Sequence, residues 1–191
     1  LSLPLHYCGW VVERPGPSRL RRNLLVVAAG GGGDGAAVFE MGARLLSYRT
    51  DMAGLFTPGP YAGVDAMRRL SSLANDRVHV VSPLGVSGRW FSRAAAVLCM
   101  AGYNSTLEAL AAGQRPILMP RRNPRREQAI RAEWLDGLQL ADVVPAGADP
   151  ADVASLLQRP RRLPDGALES AGINLDGALN AARRLHAFSV A

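Results

Sequence analysis

The residues whose types and spacing best suit chemistry lie between Ala101 and Glu133. Gly102 permits a sharp turn after the apolar run Leu98-Cys99-Met100, and Asn104, Ser105 or Thr106 is then the expected cap of a helix. A helix start presents bare backbone N–H groups and a positive dipole end, which suits a phosphate. Glu108 falls about one turn further on, on the side that carries Asn104. A carboxylate there suits a ribose diol while the helix start holds phosphates. Gly113 closes the helix, and Pro116 to Pro120 reads as a short buried strand. The basic loop after it lies just past a strand's C-terminal end, where open α/β sheets bind ligands. Arg121 and Arg122 are therefore candidate anion contacts, with a solvated loop as the competing reading. Glu127 and Gln128 open a further helix reaching Leu138, where the plain role of Glu127 is to complement the helix dipole.

Several elements must position these groups. Leu24 to Ala29 is a continuous apolar run of buried-strand type, followed by Gly30 to Gly33, Asp34 and Gly35, then a helix over Ala36–Tyr48. Strand, glycine loop and helix is an arrangement that cradles a diphosphate on backbone N–H groups. Gly30, Gly32 and Gly35 also satisfy G-x-G-x-x-G, but a dinucleotide site needs an acidic residue after the second strand. That strand, Ala53 to Thr57, ends in Pro58-Gly59-Pro60 with no carboxylate, which counts against a nicotinamide or flavin cofactor. A turn with no ligand is the other reading of the loop. Further helices are expected at Gly63–Ala74 and Val86–Arg93, with strands at Arg77–Ser82, Ala95–Met100 and Ala141–Val144. Trp90 and Phe91 read as core residues rather than base-stacking platforms. Beyond Asp149 or Asp152 a small helix runs to Leu157. Arg159 to Gly166 is a Pro/Arg-rich loop, and a last helix over Asn174–Phe188 carries Leu175, Leu179, Ala182, Leu185 and His186 on one stripe. Alternating strands and helices predict a Rossmann-like, doubly wound parallel sheet of about six strands with helices on both faces.

Composition narrows the chemistry. With 191 residues, 48% of them hydrophobic, the chain can bury one core. All 22 basic residues are arginine. Without lysine there is neither a Walker A loop nor Schiff-base catalysis. Arginine at a net charge of +6 points either to anionic ligands or to coding bias. Aromatic residues are 6% and not interleaved with the basic clusters, so no nucleic-acid partner is expected. Cys8 and Cys99 read as buried free thiols of a reducing, cytoplasmic compartment, and no Cys or His pair has metal-ligand spacing. Leu1 to Val12 is interrupted by His6 and lacks a basic flank, which argues against a signal peptide, and the missing initiator Met suggests a piece of something longer.

The run Gly-Tyr-Asn-Ser-Thr-x-Glu-x-x-x-x-Gly from Gly102, with Pro-Ile-Leu-Met-Pro-Arg and Glu127-Gln128 after it, resembles the C-terminal, donor-binding half of GT-B glycosyltransferases, in the MurG-like and UDP-glycosyltransferase group. The resemblance extends from about Tyr7 to about Val144. It implies a nucleotide-diphosphate sugar, UDP-linked, handled without a metal or other cofactor and with inversion. Its residue roles are diphosphate at Gly31, Gly32, Gly33, Asn104, Ser105 and Thr106, ribose at Glu108, base against Leu84, and sugar at Glu127 and Gln128. Glu-Gln stands where MurG-like enzymes carry Gln-Gln, which leaves the sugar open. In this family the acceptor and the catalytic group belong to an N-terminal domain. No catalytic residue is therefore expected here, and His6, His79 and His186 sit in no motif that would make one a base; His79 reads as a packed strand residue. The implied organisation is an entry segment (1–17), a donor-binding domain (18–173) and a C-terminal helix (174–191) that packs on the acceptor domain, in the same or a separate chain. Such a half is inactive alone, with a membrane-associated acceptor and peripheral membrane location compatible with it. The competing readings are a sugar-nucleotide-binding module without catalysis and one half of an NDP-sugar epimerase.

Overall fold

The computed structural model describes residues 5–16, 18–29, 35–81, 87–121 and 126–189. Gly31, Gly32, Gly33, Leu84 and Arg122 lie outside the described residues. The elements in chain order are β1 (Leu24–Ala28), α1 (Ala36–Tyr48), β2 (Ala53–Thr57), α2 (Val64–Ser72), β3 (Val78–Val80), α3 (Ser87–Phe91), β4 (Ala96–Cys99), α4 (Tyr103–Ala111), β5 (Ile117–Leu118), α5 (Glu127–Gly137), β6 (Asp142–Val143), α6 (Pro150–Leu156), α7 (Ala167–Ser170) and α8 (Gly177–Ser189). The strands form one parallel sheet in the order β3-β2-β1-β4-β5-β6.

Side-chain alternation along the central strand divides the core. Leu24, Val26 and Ala28 point to a cluster with Phe91 of α3, Leu107 and Leu110 of α4 and Leu135 of α5. Leu25 and Val27 point the other way, to Val38 and Leu45 of α1, Leu70 of α2 and Val153 of α6. A strand covered on both faces reads as a continuous apolar run, which is why β1 shows no polar residue. Two glycines let α1 lie close on β1. A methyl group on Gly35 would stand 2.2 Å from Ala29 Cβ, and one on Gly42 would stand 2.6 Å from Val27 Cγ2. Gly35→Ala should therefore cost about 2–3 kcal/mol through overpacking, read as a fall in the urea midpoint without a change in slope.

Several expectations change in detail. β5 keeps only Ile117–Leu118, because Pro116 and Pro120 bring no N–H to a ladder. β3 is an edge strand: Val78 is buried, but His79 points to solvent rather than packing. Phe91 is fully buried and Trp90 packs partly against the core, beneath Arg89 and Arg93 at 5.2 and 5.8 Å. Cys99 is a buried free thiol; Cys8 is also free but only half-buried. The short helix α7 was not expected from the sequence. The last helix begins at Gly177 rather than Asn174, since the Asn174 side chain accepts from the Asp176 N–H at 2.8 Å and Leu175 is buried in the core.

That junction holds the entry segment. Trp10 N–H donates to Asn174 O, Gly177 N–H donates to Trp10 O, and Asn180 Nδ2 donates to Cys8 O, at 2.8, 3.0 and 3.0 Å. The crossing needs two glycines. Gly9 has φ +100, and any Cβ on Gly177 would stand 2.6 Å from Gly9 O. Trp10 also stacks between Tyr103 of α4 and Trp134 of α5, at 5.4 and 6.2 Å between centroids.

Polar cross-links stitch the periphery. Asp142 on β6 faces three guanidinium groups, from Arg161 at 2.7 Å, Arg115 at 3.2 Å and Arg159 at 3.6 Å. The Asp142 and Arg161 side chains are only 9% and 3% exposed. Burial pulls the Arg161 guanidinium below its ordinary value, while the adjoining Asp142 carboxylate holds it up. Arg115 N–H donates to Arg161 O, and Leu163 N–H to Gly113 O, so the Pro/Arg-rich stretch is a strap fastened to the start of β5. Gln114 is fully buried and its amide donates to Phe91 O and Ala94 O, at 2.8 and 2.9 Å.

Candidate nucleotide site

The sheet order places the reversal of winding between β1 and β4, whose ends are tied by Met100 N–H donating to Ala28 O at 3.2 Å. The crevice outside the carboxyl ends at such a reversal is where open α/β sheets bind ligands. Ala29 and Gly35, which flank the glycine loop, stand at the β1 side, and the Gly102 turn stands at the β4 side.

Gly102 itself is the N-cap of α4, with φ −65 and ψ 152, and no side chain caps the helix. Asn104, Ser105 and Thr106 are thus in the first turn rather than before it, because Gly102 both turns the chain and ends the extended backbone. Thr106 N–H donates to Gly102 O at 3.1 Å. The N–H groups from Gly102 to Ser105 precede that bond and have no partner within the helix. Asn104 and Ser105 therefore keep backbone donors for an anion, whereas the Thr106 N–H is used. The Thr106 hydroxyl is buried without a hydrogen-bond partner among the described residues.

Helix α5 is drawn to the same place. Arg131 donates to Ala101 O from the third and fourth residues beyond Gln128 and Glu127, and its guanidinium lies 5.7 Å from the Tyr103 ring centroid. Gln128 is buried, with its Oε1 accepting from the Arg121 N–H at 3.2 Å, and Glu127 pairs with Arg121 at 3.4 Å. These contacts set Glu127, Gln128 and Arg121 at the end of β5, next to the start of α4. One lone pair of the Gln128 oxygen is committed to backbone, which leaves its second lone pair and the amide N–H donors.

Glu108 opens into a cavity of about 260 Å³, lined also by Glu13, Pro15 and Gly16 of the entry segment, by Ser18 just after it and by Gly88, Arg89, Ser92 and Arg93. It is half-buried and makes no hydrogen bond or ion pair among the described residues. Burial, and then the Glu13 charge, push its carboxyl above the usual carboxylate range. Beneath it the Cys99 thiol is pushed up to about 12, by burial and then by the Glu108 charge, so it is a packing group rather than a nucleophile. A larger cavity of about 400 Å³ lies between α1 and α2, with Phe39, Leu70 and Leu73 among its walls and none of the predicted site residues in it. Sequence reasoning missed Glu13, which reaches the cavity from a segment read only as a linker, and Ser18 just beyond it. Among the described residues, no group of three or more His, Cys, Asp or Glu is gathered as for a metal ion, and no helix is long and apolar enough to cross a membrane.

No family model matches the chain, and no curated protein matches it in sequence. Solved structures do match in fold. MurG of Acinetobacter baumannii aligns over 86% of this chain with a TM-score of 0.64 at 16% identity. The glycosyltransferase SnogD from Streptomyces nogalater aligns over 90% with a TM-score of 0.57 at 22% identity. The chain has the fold of one half of a GT-B glycosyltransferase. It spans 49% of the length of that MurG and 46% of SnogD. The glycosyltransferase VinC, solved in complex with dTDP, is similar over 85% of this chain and 38% of its own length, with a TM-score of 0.54 at 16% identity. In this fold the turn into α4 and the start of α5 follow the carboxyl ends of β4 and β5, and the Glu108 cavity lies along α4 against α3 and the entry segment.

Proposed function

We propose that the chain is the donor-binding half of a glycosyltransferase that takes a hexose-type sugar from a nucleoside diphosphate, UDP in the first instance. The observation that carries the reading is Glu108: a half-buried carboxylate without a partner among the described residues, one turn beyond backbone N–H groups that have no partner within α4, in a cavity between α4, α3 and the entry segment. The cavity is below the roughly 300–1,000 Å³ typical of whole small-molecule sites, and it suits a nucleoside with the rest of the donor outside. The ribose diol donates to Glu108. Backbone N–H groups of Asn104 and Ser105, with the loop at Gly31, Gly32 and Gly33, receive the diphosphate as negative charge develops on it. Leu84 meets the base, and Glu127 and Gln128 orient the sugar, with Arg121 and Arg122 as further anion contacts.

Transfer also needs a base to take the acceptor's proton. The described lining of the cavity contains no histidine; His79 faces solvent on the sheet edge, and His6 contacts Arg184 at 2.7 Å. We assign acceptor and base to an N-terminal domain, in the same or another chain, and expect this half to bind donor without turning it over. Calorimetric titration with UDP, dTDP, NAD and a short single-stranded DNA tests the reading. Saturable binding of UDP or dTDP, and not of NAD or DNA, is the expected result. Binding of NAD or DNA alone would overturn it, as would no binding of any nucleotide.

A further inference from the structure

The entry segment does more than lead into β1. With Ser18 just after it, it forms one wall of the cavity that Glu108 opens into, contributing Glu13, Pro15 and Gly16. It is held there at both sides of Glu13. Upstream, Trp10 is bonded to Asn174 and Gly177, and immediately downstream Arg14 pairs with Asp176 at 3.1 Å. Downstream, the Ser18 and Ser92 hydroxyls meet at 2.8 Å, and Arg21 N–H donates to Arg93 O at 2.7 Å. Glu13 itself is exposed and makes no hydrogen bond or ion pair among the described residues.

Two carboxylates thus line one small cavity without a cation between them. The two arginines of the lining lie over the Trp90 ring, and neither pairs with Glu13 or Glu108 among the described residues. A neutral group with two adjacent donors suits such a pair, because each carboxylate takes one hydroxyl and the two charges become bridged rather than opposed. A cis-diol is such a group. We propose that Glu13 is a second ribose ligand of this cavity, sharing the diol with Glu108, so that a bound ribonucleotide draws the entry segment against α4. The proposal rests on the donor-binding reading and adds a specificity residue to it. It makes the cavity selective for ribose over sugars lacking the hydroxyls, and it lets occupancy of the nucleoside site be felt in the entry segment.

The test compares the full chain with Glu13→Gln and Glu108→Gln, by calorimetry with UDP and with 2′,3′-dideoxyuridine diphosphate. Glu13 is exposed, so its variant keeps the fold. Glu13→Gln should bind UDP roughly tenfold more weakly, the loss of one charge-assisted hydrogen bond. It should bind the dideoxy analogue as the unsubstituted chain does. Unchanged or tighter UDP binding by Glu13→Gln, with a loss in Glu108→Gln, would overturn the Glu13 role and leave the donor site standing. An equal loss for both ligands would also overturn it, since the effect would then not run through the diol. Failure of the unsubstituted chain to bind any nucleotide would overturn both readings together.

Discussion

Glu108→Ala should lower the affinity for UDP by about 1.5–3 kcal/mol, roughly 10- to 150-fold, through loss of charge-assisted hydrogen bonds to a ribose. The calorimetric comparison of variant and unsubstituted chain measures this directly, and equal affinities would remove Glu108 from the site. The same carboxylate should have the opposite effect on the empty fold. Its pKa is raised in the folded chain, by burial and then by Glu13. Between the ordinary carboxylate value and that raised value the folded state holds more protons than the unfolded one, so stability falls as pH rises through the window. Above it, the cost of the desolvated charge is present in full. Glu108→Gln should accordingly raise the melting temperature of the nucleotide-free chain at neutral pH while weakening UDP binding. A group that destabilises the empty protein and strengthens the complex is the mark of a binding residue.

Asp142→Ala should cost about 3–5 kcal/mol, a large share of the 5–15 kcal/mol available to a typical domain. The reason is electrostatic. Asp142 is the one carboxylate shown pairing with Arg115, Arg159 and Arg161, and Arg161 is buried. Removing Asp142 leaves a desolvated guanidinium without its counter-charge. The strap from Arg159 to Leu163 and the edge strand β6 should loosen together. Urea unfolding measures the loss, and hydrogen exchange should show it concentrated in β5, β6 and the strap. Asp65→Ala, which breaks an ion pair with side chains 76% and 84% exposed, is the control and should change stability by less than about 1 kcal/mol.

Local signals were legible in the sequence and distant ones were not. Helix α1 and strand β2 carry the bounds expected of them, Ala36–Tyr48 and Ala53–Thr57, because a glycine loop, a helical period and an unbroken apolar run mark them within a few residues. The doubly wound parallel sheet follows from the alternation of strands and helices, whereas the strand order that puts the reversal of winding between β1 and β4 comes from pairing between distant segments. The N-cap was displaced to Gly102 because one residue performs two tasks that the sequence reading gave to neighbours. The arginines were the least readable. Composition offered anionic ligands or coding bias, but several close polar ends of the protein itself. Arg77 donates to Leu46 O at 2.9 Å at the end of α1, Arg131 closes onto Ala101, and three arginines gather on Asp142. Such partners are far apart in the chain, and no periodicity announces them. Glu13 escaped notice for the same reason.

The crossing of Gly9 and Gly177 has a mechanical meaning. Strands and helices from Leu24 to Val143 lie between two stretches of chain that are hydrogen-bonded to one another at Trp10, Asn174 and Gly177. Tension applied along the chain from Cys8 to α8 meets those bonds first, and the sheet is bypassed while they hold. The molecule is in this respect a ring closed by a clasp, and the clasp, not the core, sets the force at which the ring opens.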